Sequence, residues 1–203
     1  YRLNIRLAHE FYSLQSLFEV ALRNAINQHF VAYFNDNEWL ITQNDLSKCS
    51  TAIFLDPQLS PYFFSSNDIN KAISKIKKDG KPITNDRIVS GLMFGFWENM
   101  FSQKLYNLGN QTLMKGIFKV SPKIGQVAVY KDLGKIGRWR NRFAHFEPLV
   151  FDINANKSTA QAREVHQLIL FYTKCLGIDV ASSQSYYYGL DHVLKISDDI
   201  DNL

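Results

Sequence analysis

Apolar residues recur at steps of three and four from Leu3 through Leu7, Phe11, Leu14, Phe18, Leu22 and Ala25 (with Ile26) to Tyr33. A stripe of that length predicts one long amphipathic helix. His29 falls on the stripe between Ala25 and Tyr33, and Asn35-Asp36-Asn37 ends it. Residues 36–66, broken by Pro57 and Pro61, read as loops with one or two short helices. Asn67 or Ser66 is then positioned to cap a helix running to about Lys78, closed by Asp79-Gly80-Lys81-Pro82.

Thr84 caps the next element, a helix from Asn85 to about Phe101 that is apolar nearly all round and belongs at the centre of a bundle. Gly91 and Gly95 on it are expected to let a neighbouring helix approach closely. A glycine-punctuated stretch leads to Ser121-Pro122, and a further helix is expected from about Lys123 to Phe143. Pro148 forces its end soon after His145. Ser158 or Thr159 opens another helix carrying Ala162, Val165, Leu168, Ile169 and Tyr172, with Gly177 as its stop. Pro148 to Ile153 is the one stretch expected to run briefly extended. The remainder, Tyr186-Tyr187-Tyr188-Gly189 and Leu190 to Ile196, reads as a short terminal helix or loop. No repeat and no run of alternating strands is present, so the fold class is all-α. One domain is expected over 1–203, with a core of about 1–34 and 67–177 and with 35–66 and 178–203 peripheral.

Composition narrows this little further. At 203 residues and 46% hydrophobic the chain is long and apolar enough for a sizeable core, and too apolar for disorder. No run approaches the roughly 18 uncharged apolar residues needed to span a bilayer, so no membrane contact is expected. The opening Tyr1-Arg2-Leu3-Asn4-Ile5-Arg6 has no secretory signal pattern, and a chain opening on Tyr1 is expected to have an upstream segment. Cys49 and Cys175 stand apart from each other and from any histidine pair, which fits free thiols in the cytoplasm. His9, His166 and His192 have no metal-ligand spacing, and no metal or other cofactor is expected. Gly134 and Gly137 do not form a phosphate loop.

Charge is more informative. The net charge is +4, which mildly favours polyanions. Residues 131–142 concentrate it, with Lys131, Lys135, Arg138, Arg140 and Arg142 against Asp132, whereas Asp198-Asp199-Ile200-Asp201 is acidic. The lysines of 67–78 (Lys71, Lys75, Lys77, Lys78) read first as a solvated helix face.

The basic run ends in Arg138-Trp139-Arg140-Asn141-Arg142-Phe143-Ala144-His145-Phe146-Glu147-Pro148. A histidine that moves a proton near neutral pH, beside cations that hold a phosphate, is a minimal kit for cleaving RNA without a metal. His145 would take the proton of a ribose 2′-OH or give one to the leaving 5′ oxygen. Arg140 would grip the phosphate, Asn141 would orient His145 or the phosphate, and Arg138 and Arg142, pointing elsewhere on the helix, would track the RNA backbone. DNA lacks the 2′-OH and would be a poor substrate, and no carboxylate cluster suits two-metal chemistry. Asn141 and His145 share a helix face, whereas Arg140 and His145 are about 140° apart. Their meeting requires either a distorted helix end or a dimer seam that builds one site from two copies. The alternative stays open: Arg, Asn and His are ordinary residues at a helix C-terminus, and R-x4-H recurs by chance.

Glu19, Arg23 and Asn24 form a second polar group. They either line the same cleft or make a buried ion pair, Glu19 with Arg23 one turn on, and an asparagine bond between helices. His29 reads as a satisfied core histidine. Trp39, Trp97 and Trp139 read as core or interface residues, with Trp139 also a possible platform for a base.

The segment Arg140 to Pro148 resembles the signature of the HEPN superfamily, and within it the abortive-infection (Abi-like) branch, which typically reads R-N-R-aliphatic-A-H-H-E-P. Glu19-Val20-Ala21-Leu22-Arg23-Asn24-Ala25-Ile26, Phe94-Gly95-Phe96-Trp97 and the spacing between the blocks are similar too, so the resemblance covers most of residues 1–175. Phe146 departs from it, standing where a second histidine is common. The resemblance implies a helical bundle that dimerises with its R-x4-H motifs facing each other. It also implies metal-independent endoribonuclease activity in anti-phage defence or as a toxin, possible control by an antitoxin or regulatory RNA, and a catalytic set of Arg140, Asn141 and His145. Members of the superfamily that have lost catalysis bind RNA only, which leaves a non-catalytic RNA- or protein-binding module as the second reading.

Overall fold

The opening stripe forms one unbroken helix, α1 (Arg2–Phe34), and Asn35 ends it by turning left-handed with φ 50°. The structure, a computed structural model, describes residues 2–59, 64–145, 147–151, 156–179 and 190–202. Tyr1, Pro61, Phe146, Ile153 and Tyr186 to Gly189 lie outside these. Among the described residues α1 is followed by α2 (Trp39–Thr42), two 3-10 turns (Ile53–Leu55 and Pro57–Leu59), α3 (Phe64–Lys78), α4 (Asn85–Gly91), α5 (Phe94–Asn99) and α6 (Gln103–Leu108). Then come α7 (Leu113–Ile117), α8 (Gln126–Ala144), α9 (Ala160–Cys175) and α10 (Leu190–Asp201). The described residues contain no strand; Phe151, in the stretch expected to be extended, forms an isolated antiparallel bridge with Lys157 beyond it. The protein is all-α.

The chain divides into two compact units. The first comprises 1–21, 118–123 and 131–203. Its core is the α1 stripe Leu7, Phe11, Leu14 and Phe18 with Leu133, Ile136, Trp139 and Phe143 of α8, Ala162, Val165, Ile169 and Tyr172 of α9, and Val193, Ile196 and Ile200 of α10. Phe11 lies 5.6 Å from Trp139, 6.4 Å from Phe143 and 6.3 Å from His166, ring to ring. Polar ties fasten the elements at their margins. Leu149 N donates to Asn4 Oδ1 (2.6 Å), the Tyr172 hydroxyl to Asp132 (2.8 Å), and Arg163 to Asp198 (2.8 Å) and Asp201 (3.0 Å). Burial and the Asp132 carboxylate push the Tyr172 phenol well above its ordinary range, so it stays a donor.

The second unit comprises 22–117 and 124–130. Aromatic rings run through it in series: Phe30 to Trp39 (4.9 Å), Trp39 to Phe54 (5.8 Å), Phe54 to Phe96 (5.7 Å) and Phe96 to Trp97 (4.9 Å). Trp39, Leu40 and Phe54, from the segment expected to be peripheral, are fully buried in this unit. One oxygen, Asn27 Oδ1, accepts from both the Trp39 indole (2.8 Å) and the Asn85 amide (2.9 Å), tying α1, α2 and α4 together. Thr84 caps α4 as expected, its side chain accepting from Arg87 N.

Two expectations need correction here. The predicted 85–101 helix is broken: Leu92 and Met93 are extended (ψ 138° and 161°) between α4 and α5. A straight helix apolar on every side cannot bury all its faces in so small a unit. The break buries Leu92 and leaves only Met93 out, 61% exposed, at Gly91, where a helix is weakest by about 1 kcal/mol. Of the two glycines, Gly91 meets α3, where an added Cβ would stand 3.6 Å from Ala72, and Gly95 meets nothing. Helix α3 also begins at Phe64, before the expected caps. Ser65 and Ser66 are buried inside it, and Ser65 Oγ accepts from Asn99 (3.0 Å) instead of capping.

His29 is the satisfied histidine expected. Its Nε2 lies 3.0 Å from Thr112 Oγ1, and Thr112 gives its own proton to Gly109 O (2.9 Å). The imidazole therefore donates through Nε2 and holds a lone pair at Nδ1. That nitrogen faces Gly116, where a Cβ would come within 1.9 Å of it, and the Tyr33 and Phe30 rings flank His29 at 6.1 and 5.0 Å. Gly116→Ala should therefore destabilise the protein by about 1–3 kcal/mol in denaturant unfolding, with part of the loss recovered in a Gly116→Ala/His29→Ala double variant. Burial lowers the His29 pKa below its ordinary 6.5. The unfolded chain then takes up a proton that the folded one refuses, so stability present above the unfolded value declines as pH falls through it. The melting temperature should drop between about pH 7 and pH 5, and His29→Gln should flatten that decline.

Candidate functional site

The end of α8 is oriented by its two aromatics. Trp139 and Phe143 stand one turn apart and are buried at 3% and 6% exposure against Phe11, which turns Asn141 between them outward. Arg138, Asn141 and His145 are exposed, and Arg140 and Arg142 are half-buried. Trp139 is thereby removed as a platform for a base, since it lies inside the unit with the Arg142 guanidinium 5.0 Å from its ring centre.

Arg142 does not track solvent. It donates to Gln161 Oε1 (3.1 Å) and to the Pro148 carbonyl, and its Nε lies 3.7 Å from the Glu147 carboxylate. These contacts clamp the turn after α8 to the start of α9, which is a structural task in place of the expected RNA contact. Arg140 faces α1, where its Nε stands 3.8 Å from Glu19 Oε2. Glu19 thus pairs with Arg140, and among the described residues no ion pair joins it to Arg23. Arg23 and Asn24 belong to the second unit, Arg23 half-buried with its Nε lacking a hydrogen-bond partner and Asn24 exposed.

Arg138 was expected to point away from His145, and the structure corrects this. His145 N donates to Asn141 O at 3.0 Å, so helical geometry persists to His145. Seven residues then bring Arg138 to within about 20° of His145 around the axis, with Asn141 between them. The exposed stripe is Arg138–Asn141–His145; Arg140 leaves the helix about 140° from His145, though its Nη1 donates to Asn141 Oδ1 at 3.5 Å. A distorted helix end is not what joins Arg140 to His145, because the backbone bond that distortion would break is intact. Within one copy the two are not brought together.

Around α8 from this stripe, on the side of Arg140, α1 and α8 enclose an open trough of about 560 Å³ walled by Ile5, Ala8, Tyr12, Phe143 and Ala144. Asn4, His9 and Glu147 complete its rim. Nothing in the sequence analysis marked it. The available signal was Tyr12, a large aromatic off the buried stripe, which is 65% exposed.

Among the described residues no three His, Cys, Asp or Glu side chains converge where a metal ion could be held, and no helix is long and apolar enough to cross a membrane. Comparison of the chain with protein-family models, with curated proteins and with solved structures returns no match.

Proposed function

We propose that this protein is a metal-independent endoribonuclease of the HEPN type, acting in the cytoplasm in abortive infection or as a toxin, and working as a homodimer. What supports the reading most is the single exposed stripe of Arg138, Asn141 and His145 at the end of α8. It presents a proton carrier, an amide and a cation to the same stretch of solvent, while both neighbouring aromatics are buried. In the proposed reaction the neutral His145 imidazole takes the proton of a ribose 2′-OH. The 2′ oxygen attacks the adjacent phosphorus, the bond to the 5′ oxygen breaks, and an imidazolium returns a proton to that oxygen. Charge gathering on the phosphate oxygens is met by arginine, whose planar fork donates two parallel bonds.

The angular separation within one copy supports a division of labour between the cations. Arg138 serves the phosphate from the same helix as His145, and Arg140 reaches it from the partner subunit, which requires the two α8 ends to face each other. An antitoxin or regulatory RNA that covered this seam would hold the activity in check. One observation favours the second reading, a module that binds RNA or an acidic protein without cleaving: in a single copy Arg140 is engaged by Glu19, on the far side of α8 from His145.

His145→Ala and Arg140→Ala should each lower RNA cleavage by about 10²–10⁴-fold, with unfolding curves unchanged. Cleavage should survive EDTA and leave 2′,3′-cyclic phosphate and 5′-hydroxyl ends, read by end-labelling and mass spectrometry. RNA that is shifted in a gel yet never shortened would replace this reading with the binding module.

A further inference from the structure

The trough between α1 and α8 lies on the Arg140 side of α8. Ala144, which lines it, is the residue before His145 and stands one turn beyond Arg140 on the same side of the helix. Its walls are aliphatic and aromatic, with the Tyr12 and Phe143 rings set edge-to-face at 6.4 Å. Of these two rings Phe143 is buried and Tyr12 presents most of its surface to solvent.

We infer that this trough is a nucleobase subsite, in which an unstacked base of single-stranded RNA lies against Tyr12 while its backbone follows the flanking arginines. The inference rests on the ribonuclease reading for the identity of the polymer, but its geometry is independent of cleavage.

Size favours a base over a protein. A volume of about 560 Å³ falls in the range of small-molecule sites, and its eight lining residues are far short of the roughly 20–30 a side that hold a stable protein pair. Charge favours a polyanion. The exposed Arg2 and Arg6 precede the rim residue His9 by two turns and one turn of α1, so they share its lip. Of the nearby carboxylates, Glu147 lies 3.7 Å from Arg142, Glu19 3.8 Å from Arg140 and Glu10 3.9 Å from His9, so the cations this rim offers are the exposed Arg2 and Arg6. An apolar, aromatic floor beside a cationic lip is how proteins hold single strands: phosphates track the cations and the base stacks. Asn4, His9 and Glu147 add an amide, an imidazole and a carboxylate, groups that can bond a base edge. A base already paired in a duplex cannot enter, so the subsite selects single strands.

The test uses the full chain carrying His145→Ala, so that RNA survives the measurement, and reads fluorescence anisotropy with labelled RNA. The probes are a single-stranded octamer, a set of octamers with one abasic nucleotide moved along the strand, and the matching duplex. One abasic position should weaken binding by about 5- to 100-fold, and the duplex should bind worse than the single strand. Tyr12→Ala should cost about tenfold and abolish the abasic penalty, and Tyr12→Trp should keep both. Circular dichroism checks that the exposed substitution leaves the fold intact. Equal binding of intact and abasic strands, or unaltered binding by Tyr12→Ala, overturns the inference. Binding of RNA as described without cleavage by the unaltered protein would leave the inference standing and sink only the ribonuclease reading; no binding at all would sink both. If Tyr12→Ala instead converts a dimer to a monomer in light scattering with RNA affinity unchanged, the trough belongs to a second copy and the inference fails.

Discussion

The packing of Trp139 and Phe143 against Phe11 governs everything else at the candidate site. A helix has one rotational degree of freedom about its own axis, and burying two large rings one turn apart removes it. Once α8 is fixed in this way, the direction of every other residue in the motif follows from 100° per residue. Arg138, Asn141 and His145 face solvent, Arg140 faces α1, and Arg142 lies across the indole it helps to cover. The chemistry proposed for the site is thus a by-product of core packing. A substitution that shrank either ring would disturb the polar stripe without touching it.

This explains why a motif read as a linear string misleads. R-x4-H names two residues that one helix must separate, and the string is silent about which cation takes the vacant place beside the histidine. The i, i+7 relation of Arg138 to His145 is present in the sequence, but a two-residue motif carries no term for it. Arg142 could not have been placed by periodicity. Its partners are a carbonyl at Pro148 and a side chain at Gln161, set by a turn whose path no helical pattern encodes.

The same division runs through the fold. Long regular features were legible: the α1 stripe, its end at Asn35, the Thr84 cap, and the stop at Gly177, whose φ is +81°. Each depends on local rules that act within a few residues. The broken 85–101 helix and the early start of α3 were not legible, because both are decided by partners distant in sequence. An element apolar on all sides gives no phase to read, so the position of a break is set by whichever residues find room. The serines of α3 look like caps until Asn99 claims one of them.

One consequence concerns how many phosphates this surface can neutralise. Sequence composition credits the motif with Arg138, Arg140 and Arg142, yet two of these already face carboxylates, at 3.8 Å in Glu19 and 3.7 Å in Glu147. A nucleic acid that docks here without displacing those carboxylates gains from Arg138 and the exposed Lys131 far more than from the tally of arginines. Each ion pair formed with a single strand releases about 0.7 of a condensed counterion. Affinity at this surface should therefore decay gently with added salt, which is the behaviour of a grip built on shape and stacking more than on charge.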